Sequence, residues 1–286
     1  MEQKNLIIGG FTNYGINELK PWVLSAREVA KENTDIVLMV GKTDKETIHW
    51  LEGEGISLYN MADVPNIPIH VLRFLSIYEF LRHNWADYKF VVTTDVKDVY
   101  FQSDPFERME SIFVPGTTSR LIIASEELKY KDESWGDENL MQTHGPYVYE
   151  QFKNNTIYNV GTFGGVSEYV KDMVFNIFTN AINRPIPICD QAVFNVLINT
   201  QPFKDIVVPT NDWACEAGTV ADPSKIDKFR PNLLGYEPVF DGGIVYTHNR
   251  YKYPIVHQYD RVPEWKSFVQ KKYGQDDSSQ FFTYKV

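Results

Sequence analysis

The chain has 286 residues, a length that supports one large α/β domain or two tightly joined lobes around a substantial core. Its formal charge is −10 and no lysine- or arginine-rich block interrupts it, which excludes nucleic-acid binding through a basic face. The only cysteines, Cys189 and Cys215, imply no disulfide framework, and no run reaches the ~18–20 apolar residues of a membrane span.

Met1-Glu2-Gln3-Lys4-Asn5 leads straight into an apolar run without a signal-peptide pattern, so a soluble, cytoplasmic protein is the expectation. Leu6-Ile7-Ile8, closed by Gly9-Gly10, predicts a buried strand, and Pro21 opens a helix reaching Glu32. Asp35-Ile36-Val37-Leu38-Met39-Val40 is a second strand, residues 45–52 a helix, and Ile56-Ser57-Leu58-Tyr59 a third strand. Over residues 68–85, Val71, Leu72, Leu75, Tyr78 and Leu81 recur at helical spacing and predict one buried face. A β-branched run, Phe90-Val91-Val92-Thr93-Thr94, then drives into Asp95 and Asp98, and Asp104-Pro105-Phe106-Glu107 carries the marks of a helix start. This alternation predicts a mostly parallel sheet.

Residues 126–155 are polar, charged and aromatic with few periodic apolar positions, and read as a long surface excursion or lid that carries Trp135, His144 and Tyr147. Residues 156–165 predict a strand entering a glycine-rich turn. A helix follows over 167–182, and another opens at Cys189-Asp190-Gln191. Residues 205–250 alternate short strands with turns, and Ile255-Val256-His257 is the last apolar strand.

Four constellations bear chemistry. Carboxylates at the end of a buried strand are costly unless they hold something, so Asp95 and Asp98 read either as a divalent-metal site or as solvated acids at a turn. They converge only if the chain turns between them. His257 reads as a structural histidine or as a ligand better suited to Mn²⁺ than Mg²⁺, with His248 a weaker candidate of the same kind. Asn159-Val160-Gly161, followed by Gly164-Gly165, reads as a close backbone approach to a ligand or as a tight turn. Asp190-Gln191 reads as a helix cap or as side chains facing a sugar, and Arg73 as an ordinary ion pair or a phosphate contact.

Taken in order, these pieces resemble a GT-A-fold glycosyltransferase, similar to the glycogenin-like and lipopolysaccharide galactosyltransferase-like enzymes that retain anomeric configuration. The run Asp95-Val96-Lys97-Asp98-Val99-Tyr100-Phe101-Gln102-Ser103-Asp104-Pro105-Phe106 is also similar to an acidic motif of related microbial, viral and plant glycosyltransferases. The resemblance covers most of the chain, from the first strand to about Lys266. It departs from the family in showing D-x-x-D in place of D-x-D, and in placing Trp265 before Lys266.

The resemblance implies a single GT-A-like, Rossmann-like α/β catalytic domain over 1–286. A mostly parallel central sheet would be flanked by helices, with residues 1–125 as the nucleotide-binding half. Residues 126–286 would form the acceptor and metal-completing half, including a smaller acceptor-side subregion. It implies Mn²⁺ or Mg²⁺ on Asp98 and His257, with Asp95 on the metal or the ribose. Thr12, Asn13 and Tyr14 would contact the nucleotide base, Arg73 the donor phosphates or sugar, and Lys266 the diphosphate. Asn159, Asp190 and Gln191 would line the donor-sugar pocket, the last two carrying catalysis. The implied activity is hexosyl or pentosyl transfer in glycan biosynthesis, from a UDP- or GDP-sugar to a glycan or other hydroxyl acceptor, with retention. A sugar-nucleotide nucleotidyltransferase and a non-catalytic carbohydrate-binding protein are the alternatives. The first lacks its usual basic phosphate loop in Gly9-Gly10-Phe11-Thr12-Asn13.

Overall fold

The computed structural model describes residues 3–62 and 64–274, so residues 1–2 and 275–286 of the expected domain, and the Met1-Glu2 start of the expected leaderless N-terminus, lie outside the described residues. Strand and helix alternate from the start: β1 (Lys4–Phe11), α1 (Ile16–Val29), β2 (Thr34–Val40), α2 (Lys45–Gly53), β3 (Ser57–Asn60), α3 (Ile69–Asn84) and β4 (Tyr88–Thr94). Then come β5 (Val99–Phe101), α4 (Phe106–Ile112), β6 (Leu121–Lys129), α5 (Ser134–Phe152), β7 (Thr156–Val166), α6 (Ser167–Ala181), α7 (Asp190–Ile198) and β8 (Val207–Thr210).

The central sheet has seven strands in the order β3-β2-β1-β4-β7-β6-β8. Only β7 runs against its neighbours, so the sheet is mostly parallel, as the alternating pattern predicts. Its inner strands β1 and β4 carry near-continuous buried runs because both faces are covered there. Leu6, Ile8, Val91, Leu121 and Ile123 point into a core with α3 and α6, where Phe74, Ile77, Met173 and Val174 receive them. Their neighbours Ile7, Phe90, Val92 and Ile122 point the other way, onto Leu19, Trp22, Val23 and Met109 of α1 and α4.

The remaining elements are β9 (Ala214–Glu216), α8 (Ala217–Val220), α9 (Ile226–Phe229), β10 (Val239–Asp241), β11 (Ile244–Tyr246), β12 (Ile255–His257) and α10 (Pro263–Tyr273). A small second sheet has the order β5-β12-β9, with β12 antiparallel to β5 and parallel to β9. It rests on its own core of Tyr100, Val245, Val256, Tyr259, Trp265 and Val269. This sheet fastens the C-terminal part of the chain to the turn that follows β4.

Four expectations are corrected. The first helix starts at Ile16, where Glu18 accepts from the Gly15 amide at 3.0 Å, and Pro21 lies buried inside it. Residues 126–155 are no loose excursion: β6 runs through Lys129 and α5 occupies most of the rest. Its buried positions Gly136, Asn139, Leu140 and Thr143 keep helical spacing, but only one is a large apolar residue. Gly164 and Gly165 lie within β7 rather than in a turn, and neither makes room for a ligand: a Cβ on Gly164 would stand 2.5 Å from Met109, and one on Gly165 2.2 Å from the Arg120 carbonyl. Residues 205–250 hold the short helices α8 and α9 besides their strands. No helix among the described residues is long and apolar enough to cross a membrane.

Candidate functional site

The site lies at the C-terminal ends of β1 and β4, where an open α/β sheet leaves a crevice. Thr94 closes β4, its hydroxyl accepting from the Trp22 indole at 2.8 Å. The Asp95 amide donates to the Gly161 carbonyl on β7 at 2.7 Å. A turn follows at Lys97-Asp98, with Val96 buried beneath it and Lys97 exposed. That turn brings both carboxylates to one side, the condition that their three-residue spacing imposed.

His257 arrives from β12, whose register sets it between Val99 on β5 and Glu216 on β9. Its Nε2 lies 3.5 Å from Asp95 Oδ2 and 3.6 Å from Asp98 Oδ1. One ligand atom from each of Asp95, Asp98 and His257 falls within 4.8 Å of the others. Nε2 is buried and has no hydrogen-bond partner. A buried imidazole nitrogen without a partner, facing two carboxylate oxygens, could hold a divalent cation, and the residues present fit one.

The far side of the imidazole is also fixed. Nδ1 lies 2.7 Å from Glu216 Oε2, and the second oxygen of Glu216 accepts from the Thr162 hydroxyl. A carboxylate behind a ligating histidine selects its tautomer and orients its ring. Burial lowers the basicity of His257, but Glu216 and Asp98 overcome it and push the imidazole up to about 10. Burial would likewise raise Asp98, yet the facing His257 and then Arg261 hold it below its ordinary value. The position thus attracts positive charge. Gly161 is required by the crowding: a Cβ there would stand 2.6 Å from His257 Cε1, 2.8 Å from Asp95 Oδ2 and 2.9 Å from Asn159 Oδ1.

Beside the acids, polar groups close a ring. Buried Arg73 on α3 pairs with Asp95 through Nη1 and with Asp190 Oδ2 through Nη2 at 3.1 Å. Next to Asp190, the Gln191 side-chain amide donates to Glu126 Oε1 at 2.9 Å. The Asn159 amide donates to the same oxygen at 2.8 Å, and Asn159 Oδ1 accepts from the Gly161 amide at 2.7 Å. Through the Gly161 carbonyl the ring returns to Asp95. Asp190 occupies the first turn of α7, with Cys189 at the cap position, so it is not the helix cap. Arg73 is held by two carboxylates, and its Nε is buried without a partner.

The structure brings Arg73, Asp95, Asp98, Asn159, Asp190, Gln191 and His257 together. Thr12, Asn13 and Tyr14 follow β1 at the same edge of the sheet. The Lys42 amide donates to the Thr12 hydroxyl at 3.0 Å, and Asn13 has a left-handed backbone with φ of 59°. The Tyr14 ring lies parallel to Phe11, and Lys97 Nζ lies 5.6 Å from its centroid, which joins this segment to the acidic turn. Lys266 on α10 is half-buried, and its charge reaches Asp260, a carboxyl raised first by burial and then by Asp98. His248 stands apart from the cluster: it is exposed and stacks on Tyr236 at 4.4 Å. Trp135 and Tyr147, on α5, are 50% and 79% exposed, and α5 kinks between them at Gly145.

Sequence reasoning missed Glu126, Glu216 and Thr162. Glu126 follows Leu121-Ile122-Ile123-Ala124-Ser125 much as Asp95 follows its own apolar run, and that parallel was the available signal. Glu126 is 6% exposed, and burial, with Glu216 and Glu133 nearby, pushes its carboxyl up to about 8 against the opposing bonds from Gln191 and Asn159. Glu216 ends a three-residue strand too short to show any period.

No protein-family model matches the chain, and no curated protein matches it. The seven-stranded, mostly parallel sheet between helices is a Rossmann-like GT-A architecture, and solved structures match the chain. One of them is the apo structure of the bifunctional glycosyltransferase WbbM, which aligns over 97% of this chain at a TM-score of 0.56 and 11% identity. The alignment takes in 52% of that structure, so the chain spans about half its length. At that identity the likeness is one of fold.

Proposed function

We propose that the chain is a metal-dependent glycosyltransferase that moves a sugar from a nucleotide-diphosphate sugar to a hydroxyl of a glycan or other acceptor, with retention at the anomeric carbon. The observation that carries this reading is the unpartnered Nε2 of His257 facing Asp95 and Asp98 at the C-terminal edge of the sheet. Asp95, Asp98 and His257 would hold Mn²⁺ or Mg²⁺, which when bound supplies charge neutralisation for a departing diphosphate. Thr12, Asn13 and Tyr14 would receive the nucleotide base, and Lys266 with Arg261 the outer face of the diphosphate. Asn159, Asp190 and Gln191 would face the donor sugar. Arg73, engaged by Asp95 and Asp190, orients these carboxylates rather than standing free for phosphate. Residues from both halves build the site, which supports one catalytic domain in place of two separable lobes.

The test is turnover. The protein is incubated with a panel of UDP- and GDP-sugars, with and without Mn²⁺, and release of UDP or GDP is read. Metal-dependent release that Asp98→Ala abolishes supports the reading. Binding of free sugars with no nucleotide requirement supports a carbohydrate-binding protein, and pyrophosphate-dependent formation of nucleoside triphosphate a nucleotidyltransferase.

A further inference from the structure

We propose that Glu126 is the positioning residue of the donor-sugar pocket, fixing through one carboxyl oxygen the orientation of both Asn159 and Gln191, a role that rests on the glycosyl-transfer reading. The sequence places Glu126 where β6 loses its regular pairing. The register with β7 shifts on both sides of Ser125, and Glu127 takes a left-handed backbone with φ of 57°. The Glu127 amide is then satisfied by the Ser125 hydroxyl at 2.9 Å, and the Glu126 carbonyl by Thr219 at 2.9 Å. This irregularity anchors the Glu126 backbone while its side chain enters the protein.

Inside, Glu126 Oε1 accepts two amide hydrogens, from Asn159 Nδ2 and Gln191 Nε2. A side-chain amide offers hydrogens at one end and an oxygen at the other, and either end fits the same volume. Tying both nitrogens to Glu126 decides the choice. The Asn159 oxygen is directed to the Gly161 amide, and so to the glycine that leaves room for His257 and Asp95. Gln191 is left with its oxygen as the end not tied to Glu126. Glu126 thereby acts on the sugar-facing groups without touching the metal ligands.

The groups that face Glu126 favour its neutral acid. Glu216 from β9, Glu133 at the start of α5 and the Tyr130 hydroxyl act on it, and each disfavours a second negative charge there. A neutral acid with its proton on Oε2 still accepts twice at Oε1. Glutamine reproduces that pattern, with its carbonyl at Oε1 and its amide in place of the hydroxyl; alanine removes it.

The experiment compares Glu126→Gln and Glu126→Ala in donor turnover and in the side-chain amide signals of Gln191 and Asn159, assigned through Gln191→Glu and Asn159→Asp. Misplaced reacting groups lose about 100-fold in rate. Glu126→Ala is therefore expected to lower kcat by about that factor while changing donor KM less than about threefold. Glu126→Gln is expected to recover kcat to within about threefold of wild type. If Glu126→Gln is as impaired as Glu126→Ala, the ionised carboxylate is needed and the positioning role is overturned. The amide signals decide independently of turnover and of whether the alanine variant folds: slow solvent exchange is expected in wild type and Glu126→Gln. Exchange in wild type as fast as that of an exposed glutamine overturns the inference even where donor turnover is observed. Absent turnover with slow exchange counts against the enzyme reading alone.

Discussion

His257 Nδ1 lies 2.7 Å from Glu216 Oε2, and the two residues stand opposite each other in the register of two adjacent short strands. The contact is made by sheet pairing, not by a flexible side chain reaching across. It turns a three-residue strand into the support of the candidate metal centre. Removing such a partner typically weakens metal affinity about 10–100-fold. Glu216→Gln, which keeps the shape of the side chain and its place beside Thr162, should therefore lower Mn²⁺ affinity by that factor in calorimetric titration. Unchanged affinity would show that Glu216 serves the fold alone.

Gly161 tests the same centre from the other side. An added methyl has no space between His257, Asp95 and Asn159, and overpacking of this kind costs about 1–3 kcal/mol. Gly161→Ala should lower stability in urea titration and abolish Mn²⁺ binding together. A stable variant that binds Mn²⁺ normally would contradict the geometry.

Arg73 holds two carboxylates on elements far apart in the chain. Removing one partner of a buried ion pair leaves uncompensated charge and costs about 3–5 kcal/mol. Arg73→Met should show a loss of this size in urea titration. In an Asp190→Asn background the same change should be milder, because one of the stranded charges is gone. Strict additivity of the two substitutions would contradict the bridge.

Glu126 makes the stability of the fold depend on pH. Its carboxyl is raised in the native state from an ordinary 4.5 to about 8, so between those values the native state binds the extra proton. Stability from this group is present below the lower value and is lost as pH rises through the upper one, with a slope approaching about 1.4 kcal/mol per pH unit. Wild type should therefore lose stability relative to Glu126→Gln as pH climbs across that interval, measured by urea midpoints. A constant difference would contradict a neutral Glu126.

The parallel sheet and the three candidate ligands were legible because each rests on a local rule. Continuous apolar strands mark a sheet covered on both faces, and acids at the end of a buried strand demand a reason. The support behind the ligands obeys no local rule. Glu216 earns its role only through pairing with β12, and Glu126 only through amides that arrive from β7 and α7. The helix over 134–152 escaped because its inward face carries Gly136, Asn139 and Thr143 around a single leucine, so its period is written in small and polar residues. Arg73 could be read as an ion pair or a phosphate contact, since nothing near it in sequence names Asp95 and Asp190 as its partners.

The central claim is that Asp98 and His257, with Asp95, hold a divalent cation that receives a nucleoside diphosphate. Calorimetric titration of UDP and GDP, with and without Mn²⁺, into wild type and Asp98→Ala tests it most directly. One of the two nucleotides should bind wild type only when Mn²⁺ is present, and Asp98→Ala should remove that metal-dependent binding while keeping the native fold by circular dichroism. Metal-dependent nucleotide binding that survives in Asp98→Ala, or no binding of either nucleotide to wild type, would contradict it.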